Sequence, residues 1–126
     1  RAWRLALERA GMTLDDLSLV ETHDCFTVAE LMQYEAMGLT PYGEGARAIR
    51  EGWTERDGRL PVNLSGGLKS KGHPIGATGV SMHAMAAMQL AGRAEAMQLP
   101  DARRAGVFNM GGSGVANYAT ILESTA

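Results

Sequence analysis

The sequence predicts an α/β domain with a mixed sheet, and three observations carry that prediction. A helix-period stretch at the start gives way, after a short polar link, to an apolar, partly β-branched run. A second helical pattern follows that run at once, which is α/β grammar. The last quarter of the chain holds two strand-like runs separated by Gly111, Gly112, Ser113 and Gly114, the pattern of a hairpin. With 126 residues there is enough chain for one domain with its own core. Hydrophobic residues at 45% and charged residues at 21% place it with globular rather than disordered proteins.

In the first element Ala2, Trp3, Ala6, Leu7 and Ala10 recur at helical spacing, and Gly11 supplies the stop. Thr13 to Asp16 is a polar link, and Leu17 to Thr22 reads as a strand. Thr27, Val28, Ala29 and Glu30 match a capping box, so a helix is expected from Thr27 to about Met37, ending at Gly38. Leu39 to Leu60 reads as an excursion with one short helix, Gly45 to Glu51, and with Trp53 as its anchor to the core. Val62 to Leu64 is expected to be a short strand. Ala77 to Ala91 is a helix that is apolar nearly all round, the signature of a buried helix packed between layers. Met82, Met85 and Met88 are core filler on this reading, and His83 is a hydrogen-bonded interior histidine. Ala105 to Met110 and Val115 to Leu122 are the two strands of the hairpin.

Composition narrows the function. Net charge is −2 without any Lys/Arg block, so nucleic acid and acidic membranes are poor candidates as partners. No apolar run reaches membrane-spanning length. A single cysteine, Cys25, rules out an intrachain disulfide and fits a reducing, cytoplasmic setting. Three histidines and one cysteine, of which only His23 and Cys25 are neighbours in sequence, make no metal motif. The chain opens at Arg1, inside a helical pattern, which suggests part of a longer polypeptide.

Candidate chemistry sits at three places. The stretch VNLSGGLKSKGHPIGATG, Val62 to Gly79, presents His73 between Gly72 and Pro74. Pro74 pushes His73 out of the α region, and the helix that follows has a dipole that disfavours imidazolium. A base and a structural histidine fit that turn equally well. His23 and Cys25 lie where a strand ends and a helix begins, the edge at which open α/β sheets bind ligands. The Gly111 turn either closes a hairpin or aims backbone N–H groups at a developing negative charge. An imidazole, a thiol and a set of backbone donors are the parts thioester chemistry needs. Lys69 and Lys71 flank the histidine turn and read as a solvated pair.

The motif GHPIGATG resembles the histidine motif of thiolases, and the order of motifs resembles their C-terminal domain over about Arg1 to Glu123. His23, Asp24, Cys25 and Phe26 resemble the sterol-carrier-protein-type branch, where His-Asp-Cys-Phe replaces the Asn-Glu-Ala-Phe of ordinary thiolases. Asn109, Met110 and Gly111 stand where ordinary thiolases carry Cys-x-Gly, so that cysteine is absent. The resemblance implies a five-stranded-type mixed sheet with helices on both faces, and a thiolase C-terminal domain spanning residues 1–126. It also implies thiolysis of a 3-oxoacyl-CoA, or the reverse Claisen condensation, in lipid metabolism. His73 would activate the nucleophile, Cys25 would move the α-proton, and His23 and the Gly111 amide would serve the oxyanion sites. Gly67, Phe26 and Met110 would bind substrate, with Asp24 and Phe26 orienting and packing. No bound cofactor is implied, since coenzyme A enters as a thioester substrate. The nucleophilic cysteine would come from an absent N-terminal domain, so the chain alone would be inactive. The full-length protein would be a homodimer or homotetramer.

Two rivals stand beside this reading. One is a thiolase-like lyase that cleaves a carbon–carbon bond in a CoA thioester with a partner subunit. The other is a non-enzymatic scaffold, which predicts no thioester binding even with the N-terminal half restored. Without its partner domain the isolated chain is expected to self-associate through an uncovered apolar face. Light scattering checks this, and a monodisperse monomer that binds no apolar dye would count against it.

Overall fold

The strand Arg104–Gly111 is the centre of the sheet. The computed structural model describes residues 1–125. In chain order its elements are α1 (Ala2–Ala10), β1 (Leu19–Thr22), α2 (Thr27–Met37), α3 (Gly45–Arg50), α4 (Gly67–Lys71), α5 (Thr78–Leu90), β2 (Arg104–Gly111) and β3 (Ala116–Glu123). Two single 3₁₀ turns, Leu14–Asp16 and Glu95–Met97, complete it. β1 runs parallel to β2, with Leu19 beside Ala105 and Thr22 beside Phe108. β3 returns antiparallel through the glycine hairpin, pairing Gly111 with Ala116 and Arg104 with Glu123.

The sheet is mixed, as expected, but among the described residues it has three strands, in the order β1-β2-β3, rather than five. The segment expected to be a strand at Val62 to Leu64 makes a single bridge, Val62 beside Val20. Asn63 ends the pairing at once. Its φ of 53° is left-handed, and its Oδ1 takes the Thr22 N–H at 2.8 Å.

Alternation along the strands sends side chains to two faces. Val20 and Phe108 join Trp3, Tyr34 and Met37 under α1 and α2. Leu19, Ala105 and Val107 join Met82 and Ala86 under α5. Helices therefore cover both faces. Trp3 stacks on Phe108 with ring centroids 5.9 Å apart, and Gly106 opposite leaves the space the indole fills. Trp53 anchors its loop, as expected, lying against the first cluster with the guanidinium groups of Arg47 and Arg59 near its ring.

Three local expectations need correction. α2 starts at Thr27, but Thr27 does not cap it. Phe26 takes the N-cap position without a side-chain bond, and the Glu30 carboxylate accepts instead from Tyr34 Oη (2.7 Å) and Asn63 Nδ2 (3.3 Å). A Thr–acid pair at this spacing occurs earlier, where the Asp16 carboxylate accepts from both the N–H and the hydroxyl of Thr13. α5 is buried along Thr78, Met82, Ala86 and Gln89 only. Its other side carries Val80, 71% exposed, with Ala84 and Ala87, so in this chain α5 lies on one layer and not between two. The glycine stretch also contains a helix, α4, that its composition hides. No helix of the described residues is long and apolar enough to cross a membrane.

A methyl group at Gly106 would lie 2.6 Å from Trp3 Cη2, so Gly106→Ala is expected to lower stability by about 1–3 kcal/mol through overpacking. Urea unfolding with an unchanged m-value is the check.

Candidate functional site

Local structure brings the separated motifs together. β1 ends at Thr22, so His23 is the first residue beyond the strand. The side chain of buried Gln33, on α2, fixes its backbone. Gln33 Oε1 accepts from the His23 N–H at 3.1 Å, and Gln33 Nε2 donates to the His23 carbonyl at 2.6 Å. The same Oε1 accepts from the Thr22 hydroxyl. Across the sheet the register places Asn109 opposite, and His23 Nδ1 lies 2.6 Å from Asn109 Oδ1.

The other imidazole arrives on the glycine turn. Asp24 is buried, and its Oδ1 accepts the Leu68 N–H at 2.8 Å at the start of α4. Gly67 makes that approach possible, since a Cβ there would sit 2.1 Å from Asp24 Oδ2, and its φ of 63° suits glycine. At the other end of α4, Lys71 Nζ meets Glu21 Oε2 at 3.1 Å, and Ser65 Oγ donates to the same oxygen at 2.8 Å. Lys71 is therefore not a solvated charge: its side chain is 19% exposed and paired with a buried carboxylate on β1. Two residues on, His73 Nδ1 lies 2.6 Å from Thr78 Oγ1. The Thr78 hydroxyl has one proton, which it donates to the Pro74 carbonyl at 3.2 Å. A Thr78 hydroxyl that donates to Pro74 accepts from His73 Nδ1–H, and Nε2 is then the unprotonated ring nitrogen.

The two rings meet edge to face, with centroids 4.8 Å apart and planes at 85°. Both line one open cavity of about 1680 Å³, whose wall also includes Cys25, Phe26, Met110 and Gly111. Six of the seven residues expected to form the site thus share one cavity. Gly67 does not reach it and lies buried against Asp24. Phe26, expected to pack, is 72% exposed on the rim. Val28, Met32, Ile75 and Val80 give the cavity an exposed apolar border. His83 also touches it, but both ring nitrogens are engaged: Nδ1 donates to the Gly79 carbonyl at 2.7 Å, and Nε2 accepts from Thr120 Oγ1 at 3.1 Å. That is the structural role expected of it.

Sequence reasoning did not single out Gln33, Thr78 or Asn109. Asn109 was visible only as the residue standing in place of an absent cysteine. No local pattern announces Gln33, whose partners come from the preceding strand end. Among the described residues, no group of three or more His, Cys, Asp and Glu side chains is placed to hold a metal ion.

Burial holds the His23 imidazole below its ordinary pKa; the nearby His73 adds to that shift, while Asn109 and Asp24 oppose it. Burial also raises Glu30, against the hydrogen bond from Tyr34. A neutral, buried His23 beside the exposed His73 provides a proton acceptor on the cavity wall.

Comparison with known proteins places these features in context. The family model described as thiolase C-terminal domain-like matches residues 1–124. The chain is 44% identical to an acetyl-CoA acetyltransferase of Methanothermobacter thermautotrophicus, over 90% of this chain and 30% of that protein. It is 44% identical to sterol carrier protein 2 of Homo sapiens, over 87% of this chain and 20% of that protein. A solved structure, described as Ltp2-ChsH2(DUF35) aldolase, superposes with a TM-score of 0.84 at 25% identity, covering 98% of this chain and 31% of that one. The chain thus spans about a third or less of the length of these proteins.

The depressed His23 pKa has a signed consequence. As pH falls below the ordinary histidine value of 6.5, the unfolded chain takes up a proton at this position before the folded chain does. Stability from this group is full above 6.5 and is lost as pH drops through the lower folded value. His23→Gln is expected to flatten the stability profile below pH 6.5, as measured by urea midpoints across pH.

Proposed function

The chain belongs to the thiolase C-terminal domain-like family, and on that premise we propose that it forms the proton-handling half of an acyl-CoA acyltransferase site. The reaction is thiolysis of a 3-oxoacyl-CoA or the reverse Claisen condensation. The observation that carries this reading is the convergence of His23, His73, Cys25 and Gly111 on one cavity, from a strand end, a glycine turn and a hairpin. The 44% identity to an acetyl-CoA acetyltransferase supports it.

The acyl-accepting cysteine lies outside these 126 residues, in an N-terminal domain that covers the exposed side of α5 and closes the cavity. His73 Nε2 takes the proton of that thiol. The thiolate attacks the thioester carbonyl, the tetrahedral oxyanion collapses, and the leaving CoA thiolate takes the proton back from His73. During attack the Gly111 N–H and a water that donates one proton to His23 Nε2 and the other to the oxyanion are the sources of oxyanion stabilisation. These acylation steps open the condensation, in which Cys25 then removes the α-proton of the second thioester. The carbanion attacks the acyl-enzyme carbonyl and releases the enzyme thiolate, to which the proton held by Cys25 returns. Thiolysis is the reverse, with the thiolate attacking the 3-oxo carbonyl and the Cys25 thiol protonating the departing carbanion. Phe26 and Met110 on the wall contact the acyl group. Coenzyme A is substrate throughout, and the 126-residue chain alone is inactive.

A second reading, carbon–carbon cleavage of a CoA thioester with a partner subunit, is favoured by one observation, the superposition on a protein described as an aldolase. Cys25 and His73, both present on the cavity wall, favour the acyltransfer reading over it.

The full-length protein is expected to exchange label between acetyl-CoA and CoA. His73→Ala should lower that exchange by about 100-fold or more, the scale of a lost general base. Unchanged exchange would refute the role of His73, and cleavage of a 3-hydroxyacyl-CoA without exchange would favour the lyase.

A further inference from the structure

We propose that Asn109 is a positioning residue that holds His23 as its Nδ1–H tautomer, and that position 79 is glycine to leave room for it. An amide oxygen can only accept, so the 2.6 Å contact between Asn109 Oδ1 and His23 Nδ1 requires the imidazole to donate. The other end of the amide sits over the first turn of α5. A Cβ on residue 79 would lie 2.7 Å from Asn109 Nδ2 and 3.4 Å from its Cγ. Gly79 is not among the glycines of positive φ, so its backbone does not require glycine; the crowding by Asn109 does.

The neighbouring residue, Thr78, orients His73 in the same way. The first turn of α5 therefore supports both imidazoles, one directly and one through Asn109. Each ring keeps its fixed proton on Nδ1, and Nε2 is the exchangeable nitrogen of each. In the other tautomer His23 Nε2 would become a donor beside His73, and the pair would no longer offer two acceptors to a thiol or a water. The catalytic consequence rests on the acyltransfer reading, whereas the tautomer itself rests on the geometry alone.

The test uses full-length protein carrying ring-¹⁵N histidine, with long-range N–H correlation spectra and His23 assigned by the loss of its signals in His23→Gln. Wild type is expected to show neutral His23 protonated at Nδ1. Asn109→Asp, which keeps an acceptor, should retain that tautomer. Asn109→Leu should lose it and populate the Nε2–H form. Gly79→Ala keeps the amide but displaces it, and should produce the same change while raising helix propensity at that position. His83, bonded to the carbonyl of residue 79, should remain Nδ1–H in the alanine variant and serve as an internal control. An Nε2–H His23 in wild type overturns the inference, as does an unchanged Nδ1–H in both the leucine and alanine variants. Label exchange measured on the same samples reports separately on catalysis. A tautomer change with kcat unaffected would leave the inference standing and count against the acyltransfer role given to His23.

Discussion

The register of β1 on β2 is the constraint from which the site follows. Thr22 lies beside Phe108, so the next residues, His23 just past the end of β1 and Asn109 still within β2, lie side by side. A slip of one residue would turn every side chain to the opposite face. It would remove Val20 and Phe108 from the α1–α2 layer, and Leu19 and Val107 from the α5 layer. The two hydrophobic clusters therefore lock the register, and the register delivers the imidazole to its amide. Core packing and site geometry are here one fact about the chain, because Phe108 and Asn109 are consecutive.

His73 depends on a different anchor. The glycine turn that bears it has little side-chain mass to pack, and polar bonds from β1 and its C-terminal edge hold it. Asp24 grips the start of α4 and Glu21 grips its end through Lys71. Glu21 and Lys71 are a mostly buried pair, and removing one member would leave the other charge without compensation. The acids that tether the turn and the histidine that faces it thus come from one run, Glu21 to Asp24. This explains how a strand end and a glycine loop 50 residues apart can hold two rings at a 4.8 Å centroid separation.

Much of this was legible in the sequence. Helical periodicity and glycine stops located α1, α2 and α5 to within a residue or two, although α2 buries Gln33 and leaves Val28 and Met32 exposed. The hairpin was legible from its glycines. The cavity residues were legible because Gly, Pro, His and Cys at strand and helix ends are few, and their chemistry is distinctive. What did not show was set by contacts distant in sequence. α4 has a loop composition and is helical because Asp24 and Glu21 hold it. Val62 to Leu64 has strand composition but pairs only once, because Asn63 turns left-handed and gives its side chain to Thr22. Thr27 and Glu30 had capping-box spacing, yet Tyr34 and Asn63 claim the Glu30 carboxylate. The apolar circumference of α5 predicted a helix packed between layers, whereas one side is buried and the side bearing Val80 is exposed.

The account stands on two imidazoles and a thiol acting at a single thioester. A crystal structure of the full-length protein with a non-hydrolysable acyl-CoA analogue tests this most directly. The thioester-mimicking carbonyl is predicted to accept from the Gly111 N–H or from a water held by His23, with His73 Nε2 facing the nucleophilic thiol and Cys25 facing the α-carbon. A carbonyl bound outside the cavity shared by these three side chains would contradict it.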